Sequence, residues 1–193
     1  MSMINRHIPI NRYECRGMTL VEVLVAAVII GIGLLGVASL QLTALQGASN
    51  ADYRSRAADL TSALADRMRA NLYAVEANEY RLEAPVDCTN PPNEVCAMSP
   101  DDTSSSHLTD CSSTQMATYD LWEVSCRNGV QTSLPGGEIT VVCEDNPFSG
   151  GDGNDCSPNS DFVVTITWQV QSDTTIPTTE TVVTRIVPGS PRD

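Results

Sequence analysis

Between Val23 and Leu40 the chain runs for eighteen residues without a charge, built mostly of Val, Leu, Ile, Ala and Gly. As an α-helix rising ~1.5 Å per residue this stretch covers ~27 Å, close to the hydrocarbon thickness of a bilayer. Arg6, Arg12 and Arg16 lie before it, so the positive-inside rule keeps the first residues in the cytoplasm and sends the remainder across. A secretory signal also joins a basic flank to an apolar core. Here, however, the only downstream cleavage site on offer, Ala48-Ser49-Asn50, is poor, and a helical pattern continues past it. The segment is therefore read as a retained membrane helix.

Glu22 sits at the edge of that segment, where a carboxylate is tolerated at some cost and calls for a partner. A cut between Gly17 and Met18 would create an amino group one helical turn away. The amine could offset its own Glu22 in the membrane, or meet the glutamate of a neighbour in a filament. The plain alternative is an ordinary anchor with a stray interfacial glutamate. Gly17-Met18-Thr19-Leu20-Val21-Glu22, followed by Val23-Leu24-Val25-Ala26-Ala27, resembles the class III leader of type IV prepilins and pseudopilins. The resemblance implies a leader of residues 1–17 removed by prepilin peptidase, N-methylation of Met18 by the same enzyme, and Glu22 as the assembly glutamate. Two further stretches, Gly33-Leu34-Leu35-Gly36-Val37-Ala38-Ser39-Leu40-Gln41 and Asp66-Arg67-Met68-Arg69-Ala70-Asn71, are similar to segments of PilV-type minor pilins.

A chain of 193 residues has room for one modest domain plus appendages. The first seventeen residues carry three Arg and one Glu, so their removal takes the net charge from −13 to −15. Such an acidic surface repels phosphate backbones, which makes nucleic acid an unfavoured partner. Of seven cysteines, Cys15 leaves with the leader. Cys88, Cys96, Cys111, Cys126, Cys143 and Cys156 remain in the C-terminal half, the pattern of a domain matured in an oxidising compartment. They are read as three disulfides, with fifteen pairings open. Zinc is the competing reading, but no two of the six have short ligand spacing and no histidine pattern accompanies them. His7 falls in the leader and His107 in a Ser-rich loop, with no nucleophile motif beside either, so the chain is expected to be a substrate of processing without enzymatic activity or cofactor.

Beyond the apolar run, Tyr53, Ala57, Leu60, Leu64, Met68 and Leu72 recur at helical spacing, and Asp52 with Arg56 and Asp66 with Arg69 are spaced as surface ion pairs. One helix from about Thr19 to Asn71 is expected. Gly31, Gly33 and Gly36 weaken it, and by family analogy this stretch is expected to lose helical order in a filament. From Pro85 to Gln115 the chain reads as an irregular, disulfide-tied loop region. Strands are expected at Leu121–Cys126, Ile139–Cys143, Phe162–Gln171 and Thr181–Val187, with Trp122, Val124 and Cys126 sharing a core face. Gly150-Gly151-Asp152-Gly153-Asn154-Asp155 resembles one glycine–aspartate calcium repeat, which makes Asp152, Asn154 and Asp155 calcium candidates. A single copy lacking the expected apolar residue reads better as an acidic loop closed by cysteines.

The fold class expected is α+β: a long N-terminal helix with a C-terminal antiparallel sheet head braced by disulfides. Its parts are the leader at 1–17, a membrane and filament-packing helix at 18–45, an amphipathic outer half at 46–72 and a periplasmic head at 73–193. By resemblance, the chain is a minor pilin that takes part in initiating and assembling a type IV pilus. It would be held once through the inner membrane before entering the fibre or its tip. Its partners would be other minor pilins, the major pilin, inner-membrane assembly proteins and prepilin peptidase. A minor pseudopilin of type II secretion shares the leader and helix, and a tip adhesin is a third reading.

Overall fold

The computed structural model describes residues 17–97, 110–144, 156, 160–170 and 178–189. The leader up to residue 16, including Cys15, and the calcium candidates Asp152, Asn154 and Asp155 lie outside the described residues. Elements follow in the order α1 (Leu20–Ala70), α2 (Leu72–Glu76), α3 (Ser113–Ser125), α4 (Val130–Ser133), β1 (Glu138–Glu144), β2 (Asp161–Val170) and β3 (Thr178–Ile186).

The long helix expected from about Thr19 to Asn71 is continuous over Leu20–Ala70. Its first turn carries Glu22 and its last turn Arg67 and Arg69, so both ends match the sign of the helix dipole. The chain divides into two compact units, residues 1–47 and 48–193. In the first, every described residue is exposed, and α1 holds a window long and apolar enough to cross a membrane. In the second, Ala57, Leu64 and Met68 are fully buried, with Tyr53 and Leu60 packed against the same core. The surface pairs also form, Arg56 to Asp52 at 2.8 Å and Arg69 to Asp66 at 3.1 Å.

Asn71 leaves helical geometry at φ −127°, ψ 58° and separates α1 from α2. The end of α2 is fixed by Asn78, whose φ of 56° suits the left-handed position after a helix. There Glu79 N donates to Ala74 O at 2.9 Å and Asn78 N to Val75 O at 3.0 Å, the paired bonds of a Schellman ending.

Residues Leu121–Cys126, expected as a strand, instead form the end of α3 and its cap. Ser112 starts the helix as N-cap, accepting from Gln115 N at 3.3 Å, while Ser112 N donates to the Gln115 side chain at 2.9 Å. This reciprocal pair is a capping box, and it satisfies two otherwise orphaned groups. The buried residues Ala117, Leu121 and Val124 then follow at helical steps. Trp122 is only partly buried, so the alternation of Trp122, Val124 and Cys126 was a coincidence of composition. After α3 the chain turns tightly at Gly129, where a Cβ would run into the Val124 carbonyl.

The other three strands form one antiparallel sheet in the order β1-β2-β3. Along β2, Phe162, Val164, Ile166, Trp168 and Val170 are buried and alternate with half-exposed residues, as the period of two required. Ile139 and Val141 of β1 oppose Ile166 and Val164, so the buried face spans both strands. Leu82 bridges the outer edge of β1 through two 2.8 Å bonds with Val141.

All six cysteines of the C-terminal half are paired. Cys88 bonds Cys126, Cys96 bonds Cys111 inside that loop, and Cys143 bonds Cys156. The nested pair ties the irregular segment to α3, and the third closes the connection between β1 and β2.

Candidate functional site

Two regions carry the residues singled out by the sequence. At the N-terminal end, Gly17, Met18 and Thr19 precede α1 and are exposed. Thr19 Oγ1 accepts the Glu22 amide at 3.3 Å, which places Glu22 third in the helix behind a threonine cap. Thr-x-x-Glu is the order of a capping box, and a carboxylate there meets the positive end of the helix dipole. Glu22 thus has a local reason to stand where it does, besides any partner amine. The threonine three positions earlier was the signal for it. Gly31, Gly33 and Gly36 lie in unbroken helix, and a Cβ at any of them would meet nothing within 4 Å. Among the described residues, no contact requires glycine at these positions.

The second region joins α1 to α3 in the head. Arg67 Nη1 lies 2.7 Å from Asp120 Oδ1 and 2.7 Å from Glu123 Oε2. The first is an aligned hydrogen bond; the second is a charge contact off the N–H direction. Asp120 and Glu123 stand three residues apart on α3, which brings both carboxylates to the same face. Tyr80, fully buried, donates its hydroxyl to Asp120 Oδ2 at 2.7 Å. Asn71 completes the set by donating to Ser113 O at 2.8 Å. The stretch from Asp66 to Asn71 therefore has a physical role: Arg67 grips α3, Met68 enters the core, and Asn71 ends the helix and holds the start of α3.

Burial works against the Arg67 charge, yet the hydrogen bond to Asp120 and the charges of Glu123 and Asp120 outweigh it and raise its pKa. Burial also pushes the Tyr80 phenol well above its usual value, and the bond to Asp120 adds to this. A folded pKa above the unfolded value of about 10 means that the folded head holds this proton more tightly. The stabilisation is complete below pH ~10 and is lost as pH rises through the folded pKa. Thermal midpoints recorded across the alkaline range should therefore fall with pH, and Tyr80→Phe should flatten that fall. An unchanged slope in the variant would refute the assignment.

At the mouth of the Cys88–Cys126 loop, Asp87 accepts from the Thr89 hydroxyl at 2.7 Å, the Thr89 amide at 2.9 Å and Asn90 Nδ2 at 2.6 Å. These bonds hold its carboxyl below the usual carboxylate range and fix the turn that presents Cys88. Among the described residues, no group of three or more His, Cys, Asp or Glu side chains is placed to hold a metal ion. Two open grooves flank the head. One, of about 400 Å³, includes Leu82, Val86, Pro92 and Trp122; the other, of about 450 Å³, lies between α1 and β3.

Comparison with known proteins places these regions in one frame. The prokaryotic N-terminal methylation motif matches residues 12–38, which hold Gly17, Met18, Glu22 and the three glycines. The family described as type IV pilin Tt1218 matches residues 39–122, from the outer helix to Trp122, and so takes in Arg67, Tyr80 and Asp120. No curated protein and no solved structure matches the chain. The two matches abut and run without a gap from residue 12 to residue 122, across the helix and the clamp it makes with α3, and both support a chain of the type IV pilin-like kind.

Proposed function

We propose that this pilin-type chain is a PilV-like minor pilin that helps initiate and assemble a type IV pilus. The observation that carries the reading is the methylation motif laid over an exposed apolar helix that opens at a threonine-capped Glu22. Prepilin peptidase cuts after Gly17 and methylates the new amine of Met18. Residues 1–17 are then the leader, 18–45 the membrane and filament-packing helix, 46–72 its amphipathic outer half, and 73–193 the head. Before assembly the chain crosses the inner membrane once, with the head in the periplasm; afterwards it sits in the fibre or at its tip. Other minor pilins, the major pilin and inner-membrane assembly proteins are its partners, and it performs no catalysis of its own.

In a membrane the apolar face of α1 is satisfied by lipid, and in a fibre by neighbouring helices, so one surface serves two states. Glu22 supplies the charge that a neighbour's methylated amine can meet in register. Gly31, Gly33 and Gly36, which nothing in the isolated chain requires, are the positions where the helix loosens as subunits pack.

Deletion is expected to abolish surface pili and twitching while leaving type II secretion intact; the opposite pattern would overturn the reading in favour of a pseudopilin. Substitution separates the steps. Gly17→Trp should leave the chain at precursor mass. Glu22→Val should yield a cleaved, methylated chain whose recovery in sheared pili falls more than tenfold, as mass spectrometry and immunoblotting would show.

A further inference from the structure

Thr19 marks the point where α1 begins, and the Gly17–Met18 bond lies just ahead of it. The Thr19 carbonyl accepts the amides of Glu22 at 3.1 Å and Val23 at 3.3 Å, and its Oγ1 accepts the Glu22 amide at 3.3 Å. Among the described residues, no helical amide reaches the carbonyl of Gly17 or Met18. Both residues are exposed and non-helical, within the stretch that matches the methylation motif.

That placement bears on cleavage. In a helix each carbonyl oxygen is held by the amide four residues on. A peptidase needs the attacked carbonyl oxygen free, because its own donors must meet the negative charge that develops there. Peptides recognised through their backbone are accordingly taken extended. Water adds at the Gly17 carbonyl carbon, the C–N bond breaks, and the leaving Met18 nitrogen takes a proton, so the products are a carboxylate and an ammonium group.

A competing start is built into the sequence. Glycine is also an acceptable N-cap, and a helix opened at Gly17 would bind its carbonyl to the Val21 amide, drawing the scissile bond into the first turn. The Thr19 hydroxyl supplies an acceptor for the Glu22 amide that exists only when the helix opens at Thr19. We propose that Thr19 is a positioning residue for processing: its side-chain cap fixes the start of α1 and so keeps the Gly17–Met18 bond free of helical bonds and open to prepilin peptidase. This role rests on the cleavage reading above and adds to it the residue that keeps the bond accessible.

The test follows cleavage of the full-length chain in detergent by purified prepilin peptidase, for the parent and for Thr19→Val, Thr19→Asn and Thr19→Ser. Valine matches threonine in shape but offers no acceptor, whereas asparagine differs in shape yet caps at least as well. Thr19→Val should lower kcat/KM about fivefold, the factor a lost cap represents, while Thr19→Asn and Thr19→Ser stay within about twofold of the parent. Exchange of the Glu22 amide should quicken in the valine variant alone. A peptidase that reads the threonine shape would accept valine and reject asparagine, and one that binds the hydroxyl itself would accept only serine; either result overturns the cap. A parent chain cut elsewhere, or not at all, overturns the cleavage reading as well. A parent cut after Gly17 with all three variants cleaved alike sinks the cap alone.

Discussion

Replacing Asp120 with alanine is expected to cost the head about 3 kcal/mol, at the lower end of what breaking a buried ion pair costs. The carboxylate is 3% exposed and serves two donors at once, Arg67 Nη1 and the Tyr80 hydroxyl, both at 2.7 Å. Its loss leaves a half-buried guanidinium and a buried phenol without their shared acceptor. Glu123, also 2.7 Å from Arg67, retains part of the charge compensation and keeps the cost from rising further. Asp120→Asn, which keeps an acceptor for Tyr80 but not the charge, should cost less. Denaturant unfolding of the chain in detergent, followed by the fluorescence of the buried Trp168, measures both. A loss below about 1 kcal/mol for Asp120→Ala would remove the clamp from any account of head stability.

The second large effect is expected from the Cys88–Cys126 bridge, the widest of the three at a sequence separation of 38. Closing a loop of this size restricts the unfolded chain by about 3–4 kcal/mol, the lower figure applying because Cys96–Cys111 already shortens the same loop. The double replacement Cys88→Ala with Cys126→Ala should lower the denaturant midpoint accordingly. It should also loosen α3, since Cys126 caps that helix and the bridge ties it to the segment that begins at Pro85. If exchange protection in α3 were unaffected, the bridge would be bracing the loop alone.

These two features mark the boundary of what the sequence could disclose. Periodicity located α1 and the sheet because each element repeats its own pattern over enough residues to be unambiguous: three- and four-residue steps through Ala57, Leu60, Leu64 and Met68 on one helix face, and two-residue steps from Phe162 to Val170. It failed at α3, where an apolar residue at every second position from Trp122 to Cys126 imitated a strand, while the capping box at Ser112 and Gln115 and the Ala117, Leu121, Val124 spacing gave the true signal. The N-terminal methylation motif was legible because its residues are adjacent in the chain. The clamp was not, since Arg67 and Asp120 are 53 positions apart and only the packing of α3 onto α1 brings them together. Disulfide pairing was closed to sequence for the same reason.

The nesting of Cys96–Cys111 within Cys88–Cys126 has a covalent consequence. One backbone cut anywhere between Cys88 and Cys126 leaves the two pieces joined through the outer bridge, and a cut between Cys96 and Cys111 leaves them joined through both. A protease that nicks this segment once therefore releases nothing from the head until the bridges are reduced.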